Sequence, residues 1–199
     1  TGAPAFAADI GIRDGRIVAI VEPGTLNEES RETFDATGLV VSPGFVDMHT
    51  HYDAQLFWDP FAAPSNVHGV TSVIGGNCSF SIAPVHPQDA DYIRRMLAKV
   101  EGMPLDALEQ GVPWTWSTFG EYLDALEGTI AVNAGFMVGH SALRRYVLGA
   151  EANFRAATPS ELDDMRRALG ASIEAGALGL SMDCSTSHSD GNGDPVPAK

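Results

Sequence analysis

Hydrophobic and polar positions divide the chain into two regimes. In residues 7–22, Asp9-Ile10-Gly11-Ile12-Arg13 and Arg16-Ile17-Val18-Ala19-Ile20-Val21 flank Asp14-Gly15, the pair that two-residue type I′ turns prefer. This predicts an antiparallel hairpin. The polar stretch from Glu22 to Ser30, with Pro23-Gly24, reads as a loop, and Phe34 to Val41 reads as another short strand. After Gly44 short apolar runs alternate with helical stretches. Strands are predicted at Phe45 to His49, Thr71 to Gly75, Thr129 to Val138 and Ala177 to Ser181, and helices at Asp89 to Val100, Thr118 to Leu126 and Pro159 to Ala175. Before the last helix Thr158 precedes Pro159, with Glu161 three residues on, which is capping-box spacing with proline at the first helical position. Strands alternating with helices predict an α/β fold with a parallel sheet and right-handed crossovers.

The expected organisation is a small β domain over 1–42 and a larger α/β domain over 43–199. Residues 86–128 are too long for a simple connection. They contain Met103-Pro104-Leu105, Val112-Pro113, Trp114 and Trp116, and read as a helical insertion forming a lid or wall beside the strand ends, the tryptophans serving as core. No G-x-G-x-x-G or P-loop spacing follows a strand, so a nucleotide fold has little support.

Composition narrows the partners. The 199 residues are 44% hydrophobic and 8% aromatic, ordinary for a globular chain, while the formal net charge of -14 opposes nucleic acid and anionic membrane surfaces. No run approaches the roughly 18 apolar residues of a membrane span, and these residues do not open with a basic region followed by an apolar core and cleavage site. A cytoplasmic protein acting on a small molecule is expected, with its oligomeric state open. The two cysteines, Cys78 and Cys184, make no disulfide framework and read as free thiols or metal ligands. Thr1-Gly2-Ala3-Pro4 and the Ser/Asp/Gly loop near the other end suggest a fragment.

The candidate chemistry centres on His49-Thr50-His51. In a strand, side chains two apart share a face and lie roughly 6.5 Å apart along it, so two imidazoles at a strand end can converge on one ion. Asp47 shares that face. The second strand ends in Gly75-Gly76-Asn77-Cys78-Ser79. The carboxyl ends of parallel strands collect functional groups, which would place Cys78 and His51 on one rim. Two imidazoles and a thiolate make a reasonable zinc donor set. The paired glycines allow close backbone approach, and Asn77 is suited to holding the loop by side-chain hydrogen bonds. His140, after the third strand, is a further candidate for the pocket, and His188 a weaker one. His68 and His86 read as structural or solvated, and Cys184 as a free thiol.

Ser42-Pro43-Gly44-Phe45-Val46-Asp47-Met48-His49-Thr50-His51 and His68-Gly69-Val70-Thr71-Ser72-Val73-Ile74-Gly75-Gly76-Asn77-Cys78 resemble the amidohydrolase superfamily, in particular its D-aminoacylase (N-acyl-D-amino-acid deacylase) branch. Weaker matches are Val138-Gly139-His140-Ser141-Ala142-Leu143-Arg144 and Gly176-Ala177-Leu178-Gly179-Leu180-Ser181. The resemblance implies the amino-terminal half of a metal-dependent (β/α)8 barrel, preceded by a segment of a small β-sandwich built from the two ends of the chain. It implies amide hydrolysis by a metal-activated water, with one or two zinc ions. His49 and His51 would bind one metal position, and Cys78 the neighbouring position or a bridge between the two.

Relatives that open cyclic amides resemble one another in a carboxylated bridging lysine at a strand end. The lysines here are Lys99, inside a predicted helix, and Lys199, at the terminus, which favours Cys78 as the bridge. After Ser181 the sequence Met182-Asp183-Cys184-Ser185-Thr186-Ser187-His188 departs from the family pattern. The remaining metal histidines and the catalytic aspartate are expected beyond Lys199. The leading expectation is hydrolysis of N-acyl-D-amino acids. The alternatives are a hydrolase of cyclic or other acyl amides on the same fold, and an incomplete metal-binding fragment without catalysis.

Overall fold

The protein is described by a computed structural model covering residues 4–183, 185 and 187–197, so Cys184 and Lys199 lie outside the described residues. The chain divides into two compact units, Thr1–Ser42 and Pro43–Lys199.

In the first unit β1 (Asp9–Arg13) pairs antiparallel with β2 (Arg16–Val21), with a register shift between Gly11 and Ile12. Asp14 and Gly15 take φ of 51° and 71°, the two positive values that a type I′ turn needs. The hairpin read from the sequence is therefore present. The strand expected over 34–41 is not. No described strand pairs with that segment, and Val40 stays 84% exposed, so its apolar residues gain neither a ladder nor a buried face.

The second unit carries β3 (Phe45–Asp47), β4 (Val70–Gly75), β5 (Asn133–Phe136), β6 (Val138–Gly139) and β7 (Leu180–Ser181). β3, β4 and β5 pair parallel in that order, and β6 pairs parallel with β7. Met137 alone separates β5 from β6, and its N–H donates to Gly75 O at 3.0 Å. Residues 133–139 thus run as one interrupted strand with β4 on one side and β7 on the other. Successive parallel strands lie side by side in sequence order without reversal, the progression of a barrel rather than of a doubly wound sheet.

Helices α1 (Ala90–Val100), α3 (Phe119–Leu126) and α5 (Pro159–Glu174) fall where the periodicity predicts them. Both α3 and α5 begin with complete capping boxes, Thr118 with Glu121 and Thr158 with Glu161. The sequence reading misses α2 (Leu105–Gln110) and α4 (His140–Leu148). Neither has a side-chain N-cap, so the usual start signal is absent. No helix among the described residues is long and apolar enough to cross a membrane.

The core joins the insertion to the strands. Trp116 stacks on Phe57 with ring centroids 5.1 Å apart, and Tyr122 meets Phe119, Phe136 and Trp116 at 5.8, 5.1 and 5.3 Å. Trp116 Nε1 donates to Ile82 O and Trp114 Nε1 to Leu108 O, so the buried and the half-buried indole both satisfy their polar atom. Burying a Phe-sized ring contributes about 1.5–3 kcal/mol, and Trp116, Phe119 and Tyr122 are buried in the core.

The α5 cap gives a test of stability. Glu161 accepts from the Arg155 guanidinium and from Thr158 N–H, which together hold its carboxyl far below the usual carboxylate range. A depressed folded-state pKa stabilises above the unfolded value near 4.5, and that contribution is lost as pH falls toward the folded value. In urea denaturation, Glu161→Gln should be less stable than the parent at neutral pH, with a deficit that shrinks below pH 4.5. Thr158→Ala should cost about 1 kcal/mol.

Candidate metal centre

β3 stops at Asp47, two residues short of the expected end at His49, so both histidines lie beyond the strand. The cause is local. The Asp47 carboxylate turns back to accept the backbone N–H of His49 at 3.2 Å, an alternative to continuing the ladder. Thr50 then reattaches the chain, its N–H and Oγ1 both donating to Ile74 O at 3.0 and 2.8 Å. A bend at Met48–His49, not strand periodicity, brings the two rings to the end of β4.

The turn after β4 is crowded and tied from several sides. A Cβ on Gly75 would lie 2.7 Å from Asp53 Oδ2, and one on Gly76, at φ 72°, would lie 2.0 Å from Met137 O. Asn77 Nδ2 donates to Thr50 O at 3.2 Å and Ile74 O at 2.8 Å, tying the turn after β4 to the loop after β3. Gly76 N–H donates to Asp53 Oδ2 at 2.9 Å, and Ser181 Oγ of β7 donates to Gly76 O while accepting from Ser79 N–H. Cys78 and Ser79 have φ of 51° and 77°, a left-handed conformation costing of order 1–3 kcal/mol per residue that persists only where surroundings impose it.

Within this frame three donors converge. His49 Nε2 lies 3.0 Å from Cys78 Sγ, the His49 and His51 rings meet edge to face at 5.5 Å, and one donor atom from each of the three residues lies within 4.8 Å of the others. Burial holds the His51 imidazole below its usual pKa, helped by His49, and so favours the neutral form that ligates metals. Burial pushes the Cys78 thiol up, helped by Glu101 and Asp183. Without a cation these carboxylates oppose the thiolate, whereas a divalent ion would reverse the local balance. Two imidazoles and a thiol with mutually close donor atoms form a donor set that fits zinc.

The other candidates lie around this group. Asp47 anchors the His49 turn through the backbone, and Asn77 joins the loops. His140 opens α4 between Gly139, whose N–H donates to Ser81 Oγ, and Ser141, whose N–H donates to Ser79 O. Its ring is half-buried with Nδ1 unpartnered, and burial together with Arg144 lowers its pKa. It is not in the three-donor group. His188 Nδ1 lies 2.9 Å from Asp183 Oδ2, and its ring rests edge-on against Phe80. His68 is exposed and His86 stacks on Tyr146.

Sequence reasoning passed over two acidic residues. Asp53 continues the two-residue spacing of His49 and His51, a signal that was available. Its carboxyl is buried with Oδ1 unpartnered; that burial pushes it up to about 7, with Gly76 N–H acting in the opposite sense and Glu101 adding to the rise. Glu101 follows α1 in the insertion, and its Oε1 lies 3.5 Å from His51 Nδ1. Nothing in its local sequence marks it.

Residues 32–197 match the model of the Amidohydrolase family, and the chain belongs to that family. It is 40% identical to a D-aminoacylase from Alcaligenes xylosoxydans xylosoxydans over 180 residues, covering 89% of this chain and 34% of that protein. A solved D-aminoacylase structure superposes with a TM-score of 0.71 at 37% identity, covering 90% of this chain and 35% of the other. N-acyl-D-glutamate deacylase from Bordetella bronchiseptica, solved with zinc and a phosphonate inhibitor, gives the same TM-score and coverage at 33% identity. The chain therefore spans about a third of the length of these relatives, and its elements correspond to the amino-terminal part of their α/β fold.

The cross-tied turn makes two variants informative. Gly76→Ala would force both a disfavoured φ and a backbone clash, and should cost more than about 2 kcal/mol in urea denaturation. Asn77→Ala would leave Thr50 O without its donor, Ile74 O keeping those from Thr50, and should cost roughly 1–3 kcal/mol. Near-neutral values for both would contradict the tie between the loops.

Proposed function

We propose that the complete protein to which these residues belong hydrolyses the amide bond of N-acyl-D-amino acids, with His49, His51 and Cys78 as metal ligands. The observation that carries this reading is the convergence of those three donors at the strand ends. Membership of the Amidohydrolase family, and a zinc-bound N-acyl-D-glutamate deacylase among the structural neighbours, support the reaction class and zinc as the metal.

When bound, such a metal lowers the pKa of its water toward about 7 and polarises the amide carbonyl. The residues of this chain supply the site's geometry and charge. His49 and His51 offer imidazoles from one bend, and Cys78 offers its sulfur from a strained turn that cannot drift because Asn77, Asp53 and Ser181 hold it. Lys99 is exposed on α1, away from any strand end, so it is not placed to bridge metals in the manner of cyclic-amide hydrolases. This favours N-acyl amino acids over hydantoin-like rings. The net charge of -14 favours a small-molecule substrate over nucleic acid.

Cys78→Ala in the complete protein should lower bound metal, measured by elemental analysis, and turnover of N-acetyl-D-amino acids together. The loss should exceed about 100-fold, because removing mere orienting partners of metal ligands already costs 10–100-fold. Normal metal content and turnover in this variant would sink the assignment. Faster turnover of hydantoins than of N-acyl-D-amino acids by the parent would move the substrate to the cyclic-amide class.

A further inference from the structure

The insertion between β4 and β5 delivers one carboxylate to the donor cluster. Glu101 caps α1, its N–H donating to Leu97 O at 2.9 Å, so the helix fixes the backbone from which the side chain reaches out. The side chain is only 16% exposed and accepts no hydrogen bond among the described residues, so no structural bond explains why a carboxylate is held there. Nδ1 of the His51 ring lies 3.5 Å from Glu101 Oε1. That ring nitrogen is itself buried and without a hydrogen-bond partner. The carboxylate and this unpartnered nitrogen therefore face each other across a gap a few tenths of an ångström longer than the 2.7–3.2 Å typical of an N–H···O bond.

An imidazole that ligates through one nitrogen carries its proton on the other, and what accepts that proton's hydrogen bond sets both tautomer and ring orientation. His49 already directs Nε2 at Cys78 Sγ. His51 needs the same atom turned inward. Resting on the metal-site reading above, we propose that Glu101 is a positioning residue: its carboxylate accepts Nδ1–H of His51 and so presents Nε2 toward His49 and Cys78. Glu101 is not one of the three mutually close donors, which separates it from the ligands themselves. The insertion thus tunes the metal centre as well as walling it.

The test uses metal-stripped complete protein titrated with cobalt(II) against a competing chelator, followed by the thiolate-to-cobalt charge-transfer band that reports the bond to Cys78. Glu101→Ala should weaken cobalt binding 10–100-fold, keep the band's shape, and leave the denaturation midpoint of the metal-free protein unchanged. Glu101→Gln, which retains an acceptor oxygen, should recover most of the affinity. Parent-like affinity in Glu101→Ala overturns the proposal. So does a lowered metal-free midpoint that accounts for the weaker binding, because that outcome assigns Glu101 a packing role. A changed band with a loss far beyond 100-fold that Gln does not relieve also overturns it, in favour of direct ligation. Absence of the band from the parent would sink the metal-site reading first and this inference with it.

Discussion

The turn from Gly75 to Ser79 is the constraint on which the rest of the site depends. It leaves β4 through two glycines with no room for a Cβ and then runs through two non-glycine residues in the left-handed region. A conformation of this kind relaxes unless neighbouring atoms hold it. The holders come from several parts of the fold: Asn77 ties to the loop after β3, Asp53 accepts Gly76 N–H, and Ser181 reaches across from β7. Cys78 is thus positioned by the packing of strands that are distant in sequence, and its sulfur meets His49 because those strands are parallel neighbours.

The same turn explains the electrostatics. It closes over Asp53, whose buried carboxyl is driven up, and it half-buries the Cys78 thiol, whose ionisation burial discourages first and Glu101 and Asp183 discourage further. Three carboxylic residues around two imidazoles and a thiol form an arrangement that calls for positive charge. A divalent cation meets that requirement directly, since burying an unpaired charge in such a place is costly. The aromatic core of Trp116, Tyr122, Phe119 and Phe136 anchors the insertion, and through it α1, whose end carries Glu101. Packing far from the donors therefore decides the field at the donors.

Much of this was legible in the sequence where the physics is local. Asp14-Gly15 fixes its hairpin through turn geometry, and Thr158 with Glu161 marks the start of α5 through capping hydrogen bonds. Elements without such signals were missed: α4 begins at Gly139–His140 without a side-chain cap, and the apolar run at 34–41 looked like a strand although no strand among the described residues pairs with it. His49 and His51 do come together with Cys78, but the expected strand alternation is replaced by a bend set by Asp47.

The sequence by itself determined which donor types are available, where the turns and capped helices lie, and that two glycines precede Cys78, because these follow from covalent spacing and near-neighbour hydrogen bonds. Only the tertiary structure decided that the donors meet. It also decided that Asn77 ties two loops, that Asp53 is buried beneath them, and that Glu101 arrives from a helix fifty residues downstream of His51. Those contacts depend on the parallel pairing of β3, β4 and β5 and on the packing of the insertion, long-range events that no local spacing encodes.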